Sequence, residues 1–343
     1  MSPQPDEVFA RLNRLTATDQ FALVPLSGGA SDRWYFRVTG PLAERYGHPS
    51  VALMGIAPEL NGMFDSYLRV RSCLARHDIP VPALHDVWMN DGMILLEDFG
   101  DLTMAHAAKV LPGHRAALYD CAIQLLARVH QCLEDRRELC PAFSLHFDVE
   151  KFQYEFDFHV RRWVIGHWCG FKPTSAEERT LTKAFDWIST TLAAEPRVFT
   201  HRDFQTSNLM VRNSPEHDAP QLGLIDFQDA RQGLRQYDLA SLLFDSYVEV
   251  TPAEREQLAD LYGRRADVSI TERFHRLLTV AAIQRKLHDA GAFIYAAAQR
   301  GKTEYLGHVP ATLRLAIGLM MTVPRCREAG EVLADYLERR SKP

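Results

Sequence analysis

In the stretch FTHRDFQTSNLM, residues 199 to 210, His201, Asp203 and Asn208 stand at H-x-D-x-x-x-x-N spacing. The apolar run Leu209-Met210-Val211 follows, then a loop rich in Asn, Ser, Pro and Asp, then Leu222-Gly223-Leu224-Ile225 and Asp226-Phe227-Gln228. Two short apolar runs joined by such a loop predict a β-hairpin. Antiparallel pairing sets the start of the first strand beside the end of the second. Asn208 and Asp226 then meet at one open end, with Asp203 a few residues upstream. Carboxylate and amide oxygens gathered in this way suit magnesium, a hard ion that takes such donors together with phosphate oxygens and water. Asn208 and Asp226 are therefore candidate metal ligands. Asp203, just outside that pair, is placed to accept the proton of a substrate hydroxyl as it attacks the γ-phosphoryl group of ATP.

The elements that must position these groups can be read on both sides. Upstream, FALVPL, RWYFRV, SVALMGI, LHDVW and MILLEDF are short, apolar or alternating and rich in β-formers, and Asn90-Asp91-Gly92 supplies a hairpin turn between the last two. Between about 61 and 77, Phe64, Tyr67, Leu68 and Leu74 recur at helical steps until Ile79-Pro80-Val81-Pro82 ends the pattern. Five strands and one helix are predicted there. Beyond residue 100 the periods become helical: over 114 to 133, with Leu118, Ala122, Leu125, Leu126 and Val129 on one face, then 150 to 168, 176 to 194, 251 to 262, 271 to 299 and 309 to 321. The expected fold class is α+β with two lobes. A small antiparallel-sheet lobe, residues 1 to 99, would bind nucleotide, and a larger, mostly helical lobe, residues 100 to 343, would carry catalysis and acceptor binding.

With these motifs in place, the chain resembles the protein-kinase-like fold, in its aminoglycoside phosphotransferase and choline kinase branch. Asp203 matches that family's catalytic-loop aspartate, Asn208 its metal asparagine, and Asp226 the metal aspartate of the D-F-G position, here D-F-Q. His201 matches the loop histidine, a structural support. Asp238 in QYDLASLL resembles the helix-start aspartate that braces the catalytic loop. The resemblance places a phosphate loop at Pro25 to Arg33, so that Ser27, Gly28, Gly29 and Arg33 are expected near nucleotide. It also places an adenine-pairing hinge at ILLEDFG, with Glu97 and Phe99.

The sequence departs from the family's pattern at SVALMGI, where Met54 occupies the place of the lysine that contacts the α and β phosphates. Arg33, Arg37, Arg69 and Arg71 are the candidate replacements. A methionine here, the aromatic RWYFRV segment, and residues 284 to 310 are similar to the bacterial anomeric amino-sugar kinases that act on N-acetylmuramate and N-acetylglucosamine in cell-wall recycling. The resemblance therefore implies an ATP- and magnesium-dependent sugar kinase. An aminoglycoside or other small-alcohol kinase, and a nucleotide-binding pseudokinase serving as an interaction module, are the alternatives.

In KFQYEFDFHVRRWV, residues 151 to 164, Glu155 is the candidate acceptor contact, because a sugar is held by carboxylate or amide acceptors beside an aromatic face. Bulk composition frames the rest. The 343 residues are 46% hydrophobic and 24% charged with formal net charge -5, which argues against coating nucleic acid and suits a folded chain with a sizeable core. The start MSPQPDEVFARLNRL lacks the basic and apolar pattern of a secretory leader, and no long apolar run suggests a membrane partner. Six cysteines without a C-x-x-C pair fit free thiols in a reducing compartment. A cytoplasmic monomer whose partners are ATP and a small sugar is the expectation.

Overall fold

Alternation in WYFRVT sends Trp34, Phe36 and Val38 to one side of a strand and Tyr35 and Arg37 to the other. In the computed structural model, which describes residues 3–26, 33–56, 60, 62–133, 137–212 and 219–340, this strand lies in a five-stranded antiparallel sheet. Its members are β1 (Ala22–Leu26), β2 (Trp34–Thr39), β3 (Ser50–Gly55), β4 (Leu84–Trp88) and β5 (Met93–Glu97), in the order β1-β2-β3-β5-β4. Helices α1 (Pro5–Thr16) and α2 (Pro41–Glu44) close one face, with Val8, Leu12, Leu42 and Ala43 packed on Trp34, Phe36, Val38, Leu53 and Leu95. Gly55 permits this packing, since a Cβ there would lie 1.9 Å from the Trp34 ring.

Helix α3 (Gly62–Arg76) covers the other face through Phe64, Tyr67, Val70 and Leu74, in one core cluster with Met54, Ile94 and Leu96. The sequence reading expected one helix in this region; α1 and α2 are additional. Val8 and Leu12, one helical turn apart, are buried, so α1 is held by the apolar stripe it lays on the sheet.

The remainder is mostly helical: α4 (Met104–Val110), α5 (Arg115–His130), α6 (Val149–Glu155), α7 (Ser175–Ala193), α8 (Arg235–Leu243), α9 (Pro252–Ala266), α10 (Glu272–Arg300), α11 (Val309–Thr322) and α12 (Arg327–Arg340). The expected stripe on α5 is buried, from Leu118 to Val129. The helix expected over 150 to 168 changes character at its middle: α6 passes at Phe156 into a π-helix that runs to Cys169. Helix α10 crosses it at close range, because Gly291 has no Cβ; an added one would sit 2.3 Å from the His159 carbonyl oxygen. Four short strands, β6 (Arg197–Thr200), β7 (Leu209–Val211), β8 (Leu222–Leu224) and β9 (Arg231–Leu234), form two ribbons, β7 with β8 and β6 with β9. The first is the hairpin expected from the apolar runs. The second pairs strands 30 residues apart and holds the segment between them at both ends.

Candidate active site

Strand β6 ends at Thr200 and hands the chain to His201, Arg202 and Asp203. Arg202 has φ +82°, a conformation that L side chains rarely adopt and that persists only where neighbours enforce it. Asp238, fully buried in the first turn of α8, enforces it by accepting the His201 N–H at 2.6 Å and the Arg202 N–H at 2.9 Å. Charge-assisted bonds of this kind are about twice as strong as neutral ones. His201 ties the loop to the second ribbon strand. Its Nδ1 accepts the Asp203 N–H at 3.2 Å, which leaves Nε2 as the protonated nitrogen that donates to the Ile225 carbonyl at 3.0 Å.

Asn208 Nδ2 donates to the Asp203 carbonyl at 2.9 Å, and Ile225 N–H donates to the Asn208 carbonyl at 3.1 Å. Leu209 pairs with Leu224, so Asn208 and Asp226 flank the same end of the ribbon. Asp226 is itself at φ +63°. Asp203 and Asn208 are thereby joined by hydrogen bonds to Ile225, the chain neighbour of Asp226. Asp245 secures the turn between them, accepting Thr206 N–H at 2.7 Å and its hydroxyl at 2.6 Å.

The electrostatics of Asp203 come from helix α10. Arg285, whose side chain is 2% exposed, contacts Asp203 Oδ1 at 2.7 Å and Asp289 Oδ1 at 2.8 Å. Asp289 is also paired with Lys286 at 2.6 Å, and Lys286 donates to the Ser246 hydroxyl. Burial pushes the Asp203 carboxyl up, but Arg285, then Arg202, outweigh it and hold the group well below the usual carboxylate range. The oxygens of Asn208 and Asp226 form a two-donor set, and magnesium is commonly bound through one or two carboxylates plus phosphate. The residues present thus fit the ion, with Asn208 contributing the oxygen of an amide whose donor half is already bonded.

Comparison with known proteins bears on the family and the fold. The model of the phosphotransferase enzyme family matches residues 22–278. The chain belongs to that family. It is a kinase with a hydroxyl acceptor, built on the protein-kinase-like fold. It is 28% identical over 323 residues to an N-acetylmuramate/N-acetylglucosamine kinase of Pseudomonas putida, covering 92% of this chain and 88% of that protein. A kinase of the same name from Neisseria meningitidis is 28% identical over 306 residues, covering 85% and 84%. Among solved structures, the ADP-bound aminoglycoside phosphotransferase APH(2'')-Ib superposes with a TM-score of 0.61 at 17% identity, covering 91% of this chain and 98% of that one. An ethanolamine kinase of Plasmodium vivax gives 0.61 at 12% identity, covering 91% and 85%.

Of the residues read from sequence as nucleotide contacts, Ser27, Gly28 and Gly29 lie outside the described residues. Arg33 sets its guanidinium 2.6 Å from Asp226 Oδ1 and 2.6 Å from Gln228 Oε1. Arg37 is committed elsewhere, to Asp98 and Asp101. Arg69 bonds Asp65 and the Leu139 carbonyl, and Arg71 the Pro82 carbonyl. Glu97 accepts from Arg212 at 2.7 Å and from Ala83 N–H at 3.1 Å. The Phe99 ring lies under the Arg212 guanidinium, 4.7 Å from its centroid, and fills the space above Gly223, where a Cβ would come within 2.4 Å of the ring.

Glu155, read from sequence as an acceptor contact, is 1% exposed. Its carboxylate faces Lys151 at 3.2 Å and Arg202 at 3.6 Å and accepts from Gln284 at 2.8 Å. Burial opposes ionisation, but His288, Arg202 and Lys151 hold its pKa down to about 2. Its connection to Asp203 therefore runs through the Arg202 side chain. Sequence reasoning missed Arg285, Asp289 and Gln228. A signal was present for the first two: Arg285 and Asp289 are four apart in a predicted helix, a pairing distance for opposite charges.

Proposed function

We propose that this phosphotransferase moves the γ-phosphoryl group of ATP, with magnesium, to the anomeric hydroxyl of an N-acetylated amino sugar such as N-acetylmuramate or N-acetylglucosamine, as a step in recycling cell-wall sugars. The observation that carries the reaction is Asp203: a carboxylate fixed by a buried arginine, in the same loop as Asn208 and one short ribbon from Asp226. Relatives named for these two sugars, 27–28% identical over most of the chain, support the acceptor.

Asp203 Oδ1 is engaged with Arg285, which turns Oδ2 toward an acceptor hydroxyl. Oδ2 orients that hydroxyl and takes its proton as the sugar oxygen bonds to phosphorus and the bond to the bridging oxygen of the leaving diphosphate breaks. A carboxylate of low pKa is a weak base, but phosphoryl transfer has a loose transition state and asks chiefly for positioning. Asn208 and Asp226 would hold magnesium, which would offset charge on the phosphates when bound. His201 and Asp238 keep the loop in its strained path. Glu97, Phe99 and the Ser27-Gly28-Gly29 segment serve the nucleotide, and Arg37 acts there indirectly, by fixing Asp98 and Asp101. Glu155 serves the acceptor side by orienting Arg202. The division of labour places nucleotide binding in residues 1 to 99 and catalysis in 100 to 343.

Coupled ADP release over N-acetylmuramate, N-acetylglucosamine and kanamycin tests this reading. Turnover is expected with the N-acetyl sugars, with loss of their reducing ends, with arrest in EDTA and recovery on added magnesium. Asp203→Asn should lower kcat by about 10²- to 10⁴-fold with ATP binding retained. Transfer to kanamycin alone would favour the aminoglycoside alternative, and ATP binding without transfer to any acceptor would favour the pseudokinase alternative.

A further inference from the structure

Met54 stands where the family's lysine would, and the sheet register shows what occupies its neighbourhood. Tyr35 in β2 is directly opposite Met54 in β3. Residues directly opposite one another project to the same face of a sheet, and so do residues two apart in one strand. Tyr35 and Met54 therefore share one face, the face turned toward α3, and Arg33, the residue just before β2, reaches Asp226 Oδ1 at 2.6 Å. Burial agrees: Met54 lies in the same core cluster as Phe227, whereas Trp34, Phe36 and Leu53 lie in the cluster on the opposite side. Met54 is fully buried, so the space near the lysine's usual stem is filled with an apolar side chain.

Three of the four arginines that could supply the missing charge are directed elsewhere, Arg37 to two aspartates and Arg69 and Arg71 to partners around α3. Arg33 alone of the four reaches Asp226. Its side chain is 7% exposed, and Gln228 fixes its direction. Gln228 accepts from Arg33 through Oε1 and donates through Nε2 to Asp226 Oδ1 at 3.1 Å and to Asp229 Oδ2 at 3.2 Å. The chain thus differs from the family's pattern twice, at Met54 and at the glutamine of D-F-Q, and Arg33 links the two places. A glycine at 228 would leave Arg33 without this acceptor.

We propose that Arg33 replaces the absent lysine from the position just before the neighbouring strand, meeting the phosphate oxygens of the nucleotide and holding Asp226 toward the metal, with Gln228 as its positioning residue. A guanidinium carries five N–H donors in a planar fork, so it can bridge a carboxylate and a phosphate at once, which an ammonium does only as a point charge. This inference rests on the ATP-dependent reading above.

The test is calorimetric titration of ATP and of adenosine into wild type, Arg33→Met, Arg33→Lys and the double variant Arg33→Met/Met54→Lys, with sugar-dependent ADP release measured in parallel. Loss of one charge-assisted contact predicts ATP binding weaker by about 10- to 150-fold in Arg33→Met, with adenosine binding unchanged. Arg33→Lys should lose less. Restoring a lysine at position 54 should recover part of the ATP affinity. Equal losses for ATP and adenosine would mean that Arg33 only supports the fold, and unchanged ATP affinity would mean that it does not meet phosphate; either result overturns the proposal. If Arg33→Met does not fold, Arg33→Lys decides by the same comparison. A wild type that binds ATP selectively through Arg33 but phosphorylates neither sugar would refute the proposed acceptor and leave this assignment standing.

Discussion

Replacing Arg285 with methionine should act on Asp203 in two measurable ways. Methionine keeps much of the volume and removes the cation. Asp289 then retains Lys286 at 2.6 Å, but Asp203 loses its 2.7 Å partner and keeps the weaker influence of Arg202, His288 and His201. Breaking a buried pair while leaving one partner ionised costs about 3–5 kcal/mol. For 343 residues unfolding together, an unfolding entropy of about 0.7 kcal/mol per kelvin converts this to a fall in Tm of roughly 4–7 °C.

The second effect is on pH dependence. In the wild type the folded Asp203 carboxyl lies below its unfolded value, so it contributes stability that is present above the ordinary carboxylate range and lost as pH falls through the folded pKa. Without Arg285 the burial cost is no longer offset and the folded pKa rises. The Tm difference between the two proteins should therefore be widest near neutral pH and narrow as pH falls through the variant's raised folded pKa toward the wild type's lowered one. In the kinase assay, kcat of the wild type should lack an acid limb from this group above pH 5, whereas the variant should gain one at higher pH. Differential scanning calorimetry and kcat–pH profiles measure both effects. An unchanged Tm together with superimposable profiles would show that Arg285 neither stabilises Asp203 nor sets its ionisation.

Two further substitutions probe the frame around the site. Asp238→Asn places an amide donor against one of two N–H groups that now share a carboxylate, so stability should fall by about 3 kcal/mol and kcat by at least about tenfold as Arg202 leaves its φ +82° conformation; denaturant unfolding and steady-state kinetics read the two, and full kcat in a destabilised variant would contradict the bracing role. Gly223→Ala would bring a Cβ within 2.4 Å of the Phe99 ring and 2.9 Å of Arg212 Cδ, so the ring must move, at a cost of about 1–3 kcal/mol. KM for ATP should rise while kcat changes little, and an unaltered KM would remove Phe99 from the nucleotide site.

Much of the site was legible because its signals are local. His201, Asp203 and Asn208 lie within eight residues, and the apolar runs around the 212 to 221 loop announce the ribbon that brings Asp226 to them. Strand alternation and helical periodicity likewise depend only on neighbours, and they yielded the five-stranded sheet and the stripe on α5. The absence of lysine at Met54 was equally plain. Which arginine compensates was not, because Arg33 and Asp226 are 193 residues apart and nothing in either neighbourhood names the other.

The same reason applies to Arg285, 82 positions beyond Asp203. A charged residue in a helical sequence ordinarily means a solvated face, and burial of Arg285, Lys286 and Asp289 arises only where α10 packs against the loop and the π-helix. Glu155 illustrates the converse: a carboxylate among aromatics has the composition of a sugar pocket, yet packing encloses it behind Arg202. The short-range pattern of this chain therefore specifies which groups can do chemistry and where the chain must turn. Their ionisation and counter-charges are settled by contacts between distant segments, since the strength of each charge depends on the water excluded and the partner supplied when those segments meet.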